Sequence, residues 1–297
     1  MPMHMDLIAR IIEQLPQLSK GQRRIAEYIT AHYDKAAFMT ANRLGNTVGV
    51  SESTVVRFAT ELGFVGYPQL QKAMQKLIHS KLTSVQRVEV SRTQMQDDEV
   101  LERVMTYDMA DIRQTLDDIP REVFYSSVEA LVNARHVYVL GVGSCHALAQ
   151  FAGFYLKLLL PDTRLINTSV ETEMLEELYA IGEQDVLLLV SFPRYSSRSV
   201  KAAHFAHSRH ARIVAVTDSI LSPVAEFSSH LLLAQSGMPT VVDSLTAPLS
   251  VINALLVAIS LKRADQNRER LTEMEALWNT YQIYQSPEKK ESMEEQS

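Results

Sequence analysis

The stretch Thr40–Phe64, "TANRLGNTVGVSESTVVRFATELGF", predicts two short helices joined by a tight turn. Thr40 and Ser51 belong to the residue types that cap helix N-termini, because their side-chain oxygens accept hydrogen bonds from backbone N–H groups. Gly49 and Gly63 follow the two apolar segments at the position where a helix ends in the left-handed conformation. These four residues predict a first helix through Val48, a turn, and a second helix.

The second helix has an apolar face and a polar face. Apolar residues recur three and four positions apart, the spacing of one helix face, and they are Val55, Phe58, Ala59 and Leu62. The outer face near the helix start keeps Glu52, Ser53, Thr54 and Arg57. This arrangement is typical of the recognition helix of a helix-turn-helix motif, although its spacing alone also fits a two-helix hairpin inside a core.

The charge of the chain is unevenly distributed. The whole chain carries −6, but residues 1–85 hold ten basic and six acidic residues, a net of +4, so the remainder carries −10. A basic N-terminal part followed by an acidic remainder is the asymmetry expected of a nucleic-acid-binding domain joined to another domain. A single cysteine, no signal-peptide pattern and no long uninterrupted apolar segment predict a cytoplasmic protein with no membrane span.

The hydrophobic pattern of the chain changes after residue 134. Short apolar runs alternate with helical stretches: "HVYVLGVG", "TRLINTS", "VLLLVSF", "RIVAVTD" and "HLLLAQ". Five such strands predict a doubly wound α/β fold with a five-stranded parallel sheet behind an all-α helix-turn-helix domain. The predicted divisions are a helix-turn-helix domain at 1–82, a linker at 83–98, the α/β body at 99–285 and a disordered tail at 286–297.

The N-terminal segment resembles a known family. The run from Leu18 to Met74, with "SESTVVRFATELGFVGY" at its centre, resembles the DNA-binding domain of RpiR-type transcriptional regulators. The resemblance implies that Ser53, Thr54 and Arg57 enter the major groove. It also implies that Ser51, Tyr67, Gln69 and Lys72 lie near backbone phosphates. The expected partner is double-stranded DNA with a palindromic operator, bound by a homodimer or homotetramer.

Two strand ends of the body carry polar residues suited to a ligand. Ligands of open α/β sheets bind at the carboxyl ends of strands, near the point where the strand order reverses. "GVGSCHALAQ" places glycines and serine at a helix start, and "SFPRYSSRS" places serines and arginines at another. Close-packed or solvent-facing turns are the alternatives. The candidate effector-binding residues are Gly143, Ser144, Cys145, Ser191, Arg194, Ser196, Ser197 and Arg198.

These segments resemble a sugar isomerase (SIS) domain, the ligand-sensing partner in RpiR-type regulators. The resemblance runs from about Val123 to Leu261 and implies a phosphosugar ligand held by serine- and threonine-rich loops. Cys145 stands where the first loop usually has serine, and "SFPRYSSRS" replaces the usual S-x-S-G-x-T loop. The departures predict an atypical anionic sugar derivative, with the arginines supplying bidentate contacts.

Other functions remain open on the sequence. A sugar-phosphate isomerase would use a carboxylate base, for which Glu171, Glu173, Glu176 and Glu177 are candidates; a scaffold whose body only dimerises is a third possibility. His204, His207 and His210 fan around a helix and suit a metal poorly. Cys145 beside His146 is interpreted as a packed or ligand-lining thiol. We expect a regulator of carbohydrate-related genes with no catalytic residues, no metal and no cofactor.

Overall fold

The computed structural model describes residues 7–81, 85, 87, 88, 92, 97–168, 170–237, 240 and 242–284. The predicted tail at 286–297 and most of the predicted linker lie outside these ranges, and the predicted domain boundaries stay a prediction. The N-terminal part is all helical, as the sequence predicts. Its helices are α1 (Leu7–Gln14), α2 (Lys20–Ala31), α3 (Tyr33–Ala36), α4 (Ala41–Val48), α5 (Glu52–Glu61) and α6 (Tyr67–Lys81).

The caps predicted for the helix-turn-helix motif are present. The Thr40 hydroxyl accepts a hydrogen bond of 3.2 Å from the backbone N–H of Arg43, and α4 begins there. Gly49 ends α4 with a φ of 69°, a conformation that glycine adopts without the clash of a Cβ atom. The Ser51 hydroxyl accepts from the N–H of Thr54 at the start of α5.

The apolar face predicted for α5 forms the centre of the N-terminal core. Val55, Phe58, Ala59 and Leu62 are fully buried. They belong to one cluster with residues of α2, α4 and α6, including Ile25, Ile29, Leu44, Leu70 and Met74. Since the inward face of α5 is fixed by this packing, its opposite face is directed to solvent.

The body contains a parallel sheet with helices on both faces. It begins with α7 (Val100–Asp118) and α8 (Arg121–Val132). The alternating elements that follow are β1 (Val137–Gly141), α9 (Cys145–Leu159), β2 (Thr163–Leu165), α10 (Glu171–Leu178), β3 (Val186–Val190), α11 (Ser197–Ser208), β4 (Arg212–Thr217) and β5 (His230–Leu233). It ends with α12 (Thr246–Lys262) and α13 (Ala264–Thr280).

All five predicted strands are present and every neighbouring pair is parallel, in the order β2-β1-β3-β4-β5. Alternate residues of the inner strands enter two separate cores. One core includes Val139 and Leu188 with residues of α8, α9 and α12, while the other includes Leu140 and Leu189 with residues of α10 and α11. The two central strands β1 and β3 are buried along their whole length because both of their faces are covered.

The strand order reverses between β1 and β3. The chain leaves β1 towards β2 at one edge and then returns to place β3 on the other side of β1. Gly141 and Val190 pair at the carboxyl ends of these two strands. The residues after both strands therefore meet at the crevice where ligands bind in open α/β sheets.

Within the described ranges, no single helix combines the length and apolar composition of a membrane span. The two helices α12 and α13 meet both conditions only together, and they are bent by 98° at their junction.

Candidate functional site

The start of α5 gathers most of the residues predicted to read DNA. The hydroxyl oxygens of Ser51 and Ser53 lie 2.9 Å apart, and those of Ser51 and Thr54 lie 2.8 Å apart. Arg57 is exposed one turn further along, and its Nε donates to the carbonyl of Ser53. A helix N-terminus with exposed hydroxyls and a guanidinium can bind both phosphate oxygens and base edges.

Three further residues predicted to lie near phosphates, Tyr67, Gln69 and Lys72, are on α6. The Gln69 side chain accepts a hydrogen bond from the backbone N–H of Val65. Lys72 is exposed, as such a contact requires. Tyr67 is only 3% exposed, and its hydroxyl donates to the carbonyls of Met39 and Ala36. Burial raises the pKa of Tyr67 to about 12. This burial argues against the predicted phosphate contact of Tyr67, because its hydroxyl is used within the core.

A pocket of about 460 Å³ lies at the carboxyl ends of β1 and β3. Its volume is within the range of small-molecule sites. The pocket brings together seven of the eight predicted effector residues: Gly143, Ser144, Cys145, Ser191, Arg194, Ser196 and Arg198. The eighth, Ser197, is exposed at the start of α11 and does not line it.

The two loops are held in place by local structure. A Cβ atom on Gly141 would lie 2.3 Å from the carbonyl oxygen of Cys145, so only glycine lets the start of α9 approach the end of β1 this closely. On the other loop, the Ser196 hydroxyl accepts from the backbone N–H of Arg198 and caps α11. The N-termini of α9 and α11 both adjoin the pocket, and such termini favour anions.

Ser191 is a buried polar residue of the pocket whose hydroxyl needs a hydrogen-bond partner. The residue is 2% exposed, and its hydroxyl oxygen has no hydrogen-bond partner among the described residues. A buried polar group without a partner costs free energy, on the order of 1–3 kcal/mol. Because Ser191 lines the pocket, a polar ligand there would supply the missing partner.

Sequence reasoning missed two residues that also line the pocket, Arg87 and Asp243. Arg87 is 3% exposed, and its guanidinium donates to the Asp243 carboxylate at 2.5 Å. The two residues are 156 positions apart in the chain. Arg87 belongs to the stretch interpreted as a linker. Asp243 lies within the range that resembles a SIS domain, but it does not belong to either of the two loops from which the ligand contacts were predicted.

Cys145 is a buried thiol at the start of α9. Burial raises the pKa of the Cys145 thiol, and hydrogen bonds from Phe192 and Ser144 only partly oppose that effect. The Nδ1 atom of His146 lies 3.3 Å from the carbonyl oxygen of Gly141, and its Nε2 atom lies 3.0 Å from the amide of Gln150. This agrees with the interpretation of Cys145 as a packed, ligand-lining residue.

Comparison with known proteins finds two family models in the chain. Residues 5–81 match the family model of the helix-turn-helix domain of the rpiR family, and residues 130–258 match that of the SIS domain. The chain is 24% identical over 281 residues to YfhH, an HTH-type transcriptional regulator of Escherichia coli (strain K12), covering 92% of this chain and 98% of that protein. It is also 24% identical over 280 residues to the HTH-type transcriptional regulator HexR of the same organism, covering 90% and 92%.

Solved structures share the fold. The sugar isomerase domain of an RpiR transcription factor from Sphaerobacter thermophilus matches with a TM-score of 0.57 and 29% identity, covering 60% of this chain and 99% of that one. The Vibrio vulnificus NanR protein, complexed with ManNAc-6P, matches with a TM-score of 0.57 and 18% identity, covering 92% and 98%.

The fold and the matches define a transcription regulator with a helix-turn-helix domain and a sugar isomerase body. Within that class, the chain belongs to the RpiR family.

Proposed function

We propose that this protein binds a palindromic operator in double-stranded DNA through the start of α5, and that its pocket senses an anionic sugar derivative to control carbohydrate-related genes. Ser53, Thr54 and Arg57 contact bases in this proposal, while Ser51 and Lys72 contact phosphates. The effector class is a sugar phosphate or an acidic sugar. The protein acts in the cytoplasm, where DNA and such metabolites are found together.

The observation that carries the proposal is the composition of the pocket. Three arginines, Arg87, Arg194 and Arg198, line it together with one carboxylate, that of Asp243. The guanidinium group recognises carboxylate and phosphate groups in a bidentate manner. The two adjoining helix N-termini add to the preference for an anion. Serine hydroxyls, including that of Ser191, suit the hydroxyl groups of a sugar.

The sugar phosphate named with NanR supports the same ligand class. The agreement concerns only the class, because the loop "SFPRYSSRS" of this chain supplies arginines in place of the usual glycine and threonine. A ligand with a carboxylate or a differently placed phosphate is therefore included in the proposal.

The alternative function, a sugar-phosphate isomerase, finds less support in the pocket. A general base must lie within hydrogen-bond reach of the proton that it abstracts. Of the four glutamates considered, none is among the described residues that line the pocket. The Glu171 carboxylate pairs with Lys201, and the Glu173 carboxylate accepts from Thr168. Asp243 is the only acid on the described lining, and it is paired with Arg87.

We further propose that the protein is a homodimer or homotetramer, since one recognition helix reads only one half-site. The sequence offers two apolar segments as candidate subunit surfaces, the helix Leu245–Leu261 and the aromatic stripe Trp278, Tyr281 and Tyr284, and the structure divides them between core and solvent. The inward face of α12 is buried, whereas Val257 and Leu261 are exposed, as are Tyr281 and Tyr284 beyond α13. A longer exposed apolar stripe lies on α7, with a spacing of three and four residues, and comprises Leu101, Met105, Met109, Ile112 and Leu116.

A thermal-shift screen of the full chain against sugar phosphates, sugar acids and neutral sugars tests the effector class. We expect anionic members to raise the melting temperature and neutral ones to have no effect, because arginines line the pocket. Calorimetry with Arg194→Ala should then show weaker binding, with the exposed Arg113→Ala as matched control. Equal binding to both variants, or a neutral ligand, would contradict the anion pocket.

DNA selection from random duplexes and turnover assays separate regulator from enzyme. We expect a two-fold symmetric sequence to be enriched and a sugar phosphate to be recovered unchanged. Turnover without sequence-specific DNA binding would favour the isomerase. Sedimentation should show an assembly of two or four chains, and a monomer that still binds the whole operator would contradict the proposed assembly.

A further inference from the structure

Arg87 lies in the chain between the DNA-binding helices and the body. Helix α6 ends at Lys81 and α7 begins at Val100, and Arg87 falls between them. Its guanidinium is nevertheless 3% exposed and contacts Asp243, which follows β5 far along the chain. Any change in the partner of this guanidinium therefore acts on the segment that joins the two domains.

Asp243 is unusual in a pocket whose other charged residues are arginines. A buried guanidinium requires an anionic partner, because removing its charge from water without one costs several kcal/mol. The Asp243 carboxylate fills this role at 2.5 Å from the Nη1 atom of Arg87. An anionic ligand in the same pocket offers the same chemistry to the same donor, so ligand and Asp243 compete for Arg87.

The loop that carries Asp243 is also bound to α7. The hydroxyls of Ser244 and Thr246 both donate to the Asp108 carboxylate, at 2.5 and 3.0 Å. The backbone N–H of Gly237 donates to Asp111. Helix α7 lies further along the chain than Arg87, so the Asp243 loop contacts the interdomain segment through Arg87 and helix α7 through Asp108.

We propose that Arg87 is an effector-contacting residue and that the Arg87–Asp243 ion pair is one state of a two-state switch. An anion in the pocket replaces Asp243 as the partner of Arg87, and this exchange communicates occupancy to the segment that leads to the DNA-binding domain. An effector changes DNA affinity only through a difference in its affinity for two states, and the exchange of partners supplies that difference. The inference rests on the proposed anion pocket.

The test measures binding of inorganic phosphate to the full chain by calorimetry, at constant ionic strength set with potassium chloride. Arg87→Gln should weaken binding at least about tenfold, and Arg87→Lys should recover part of the loss because it restores the charge. Asp243→Asn should tighten binding by about three- to tenfold, since it removes the competing carboxylate. Arg113→Gln, an exposed substitution on α7, is the matched control and should bind as wild type.

Coupling to DNA is measured in the same variants, with a duplex selected on the wild-type protein. Phosphate should change the DNA dissociation constant of wild type and leave that of Arg87→Gln unchanged. If the role of Arg87 is purely structural, Arg87→Gln should lower the melting temperature and keep the effect of phosphate on DNA binding. The double variant Arg87→Gln/Asp243→Asn leaves neither charge unpaired. It should lose the coupling as Arg87→Gln does, which shows that the loss does not come from an unpaired buried charge that disturbs folding.

The outcomes distinguish this inference from the proposed function. If wild type binds phosphate and Arg194→Gln does not, but Arg87→Gln binds and couples as wild type, the pocket stands and the switch is wrong. If Asp243→Asn weakens phosphate binding as much as Arg87→Gln does, Asp243 is not a competitor and the switch is also wrong. If wild type binds no phosphate, the switch is overturned, while the thermal-shift screen decides separately whether the pocket takes an anionic sugar.

Discussion

The hydroxyl of Tyr67 donates a hydrogen bond of 2.7 Å to the backbone carbonyl of Met39. This contact joins the start of α6 to the residue just before the helix-turn-helix motif. Tyr67→Phe removes the donor and keeps the ring, so we expect the free energy of unfolding of the DNA-binding domain to fall by about 1 kcal/mol. Urea denaturation followed by circular dichroism measures the change.

The same substitution separates a core role from a phosphate contact. Tyr67→Phe should leave the dependence of DNA affinity on salt concentration unchanged, because the hydroxyl does not face solvent. A reduced salt dependence with unchanged stability would restore the sequence-based placement of Tyr67 beside DNA.

Arg57 is the long cation on the exposed face of α5, one turn from the hydroxyl cluster of Ser51, Ser53 and Thr54. Arg57→Ala should weaken binding to the selected operator by about 1–3 kcal/mol and relax specificity at one base pair, if the guanidinium reads guanine. Arg57→Lys keeps the charge but loses the bidentate fork, so it should restore affinity more than specificity. Wild-type affinity and specificity in Arg57→Ala would show that another face reads DNA.

Lys72 is predicted to contact a phosphate, which carries no sequence information. Lys72→Ala should weaken binding to operator and unrelated DNA by a similar factor, and reduce the slope of log affinity against log salt by about 1. Fluorescence anisotropy at several salt concentrations measures both quantities. A loss confined to the operator would instead indicate a base contact.

Cys145 is the single cysteine of the chain, so alkylation reports on the pocket directly. Because burial raises the pKa of its thiol, we expect iodoacetamide to react at pH 7.5 at least about tenfold more slowly than with glutathione. Denaturation in guanidinium chloride should restore the ordinary rate. Rapid alkylation of the folded protein would contradict the buried position of Cys145.

Asp185 precedes β3, and its carboxylate is hydrogen-bonded to Arg135 and His136, which precede β1. Burial alone raises the pKa of this carboxyl, but hydrogen bonds from Arg135, His136 and the backbone N–H of Gly182 lower it below its ordinary value. A lowered folded-state pKa contributes stability above the unfolded value, near 3.9, and that stability is lost as pH falls through the folded-state pKa. Asp185 should therefore contribute to stability at neutral pH and much less in acid.

Asp185→Asn is the corresponding test. We expect the free energy of unfolding at pH 7 to fall by about 1–3 kcal/mol, because the charged hydrogen bonds are replaced by weaker ones. The variant and wild type should converge below pH 4. A constant difference from pH 7 to pH 3, measured by urea denaturation, would exclude the charge of Asp185 as the cause.

The sequence by itself determined the features that depend on neighbouring residues. Thr40, Gly49 and Ser51 fix the ends of α4 and α5 through hydrogen bonds and backbone conformations that span a few positions. The apolar runs indicated the five strands, and the polar loops after β1 and β3 predicted where seven of the pocket residues meet. Such features can be predicted from a sequence because the interactions that cause them join residues a few positions apart.

Tertiary structure alone decided the contacts between distant parts of the chain. Tyr67 is polar enough to suit a DNA contact. It is nevertheless buried, and its hydroxyl donates to carbonyl groups 28 and 31 positions away in the chain. Arg87 has the surroundings of a linker residue, but packing brings it to Asp243 at a pocket built from the ends of two strands. Periodicity and capping carry no information about such pairs, because the distance between them is set only when the sheet and its helices have packed.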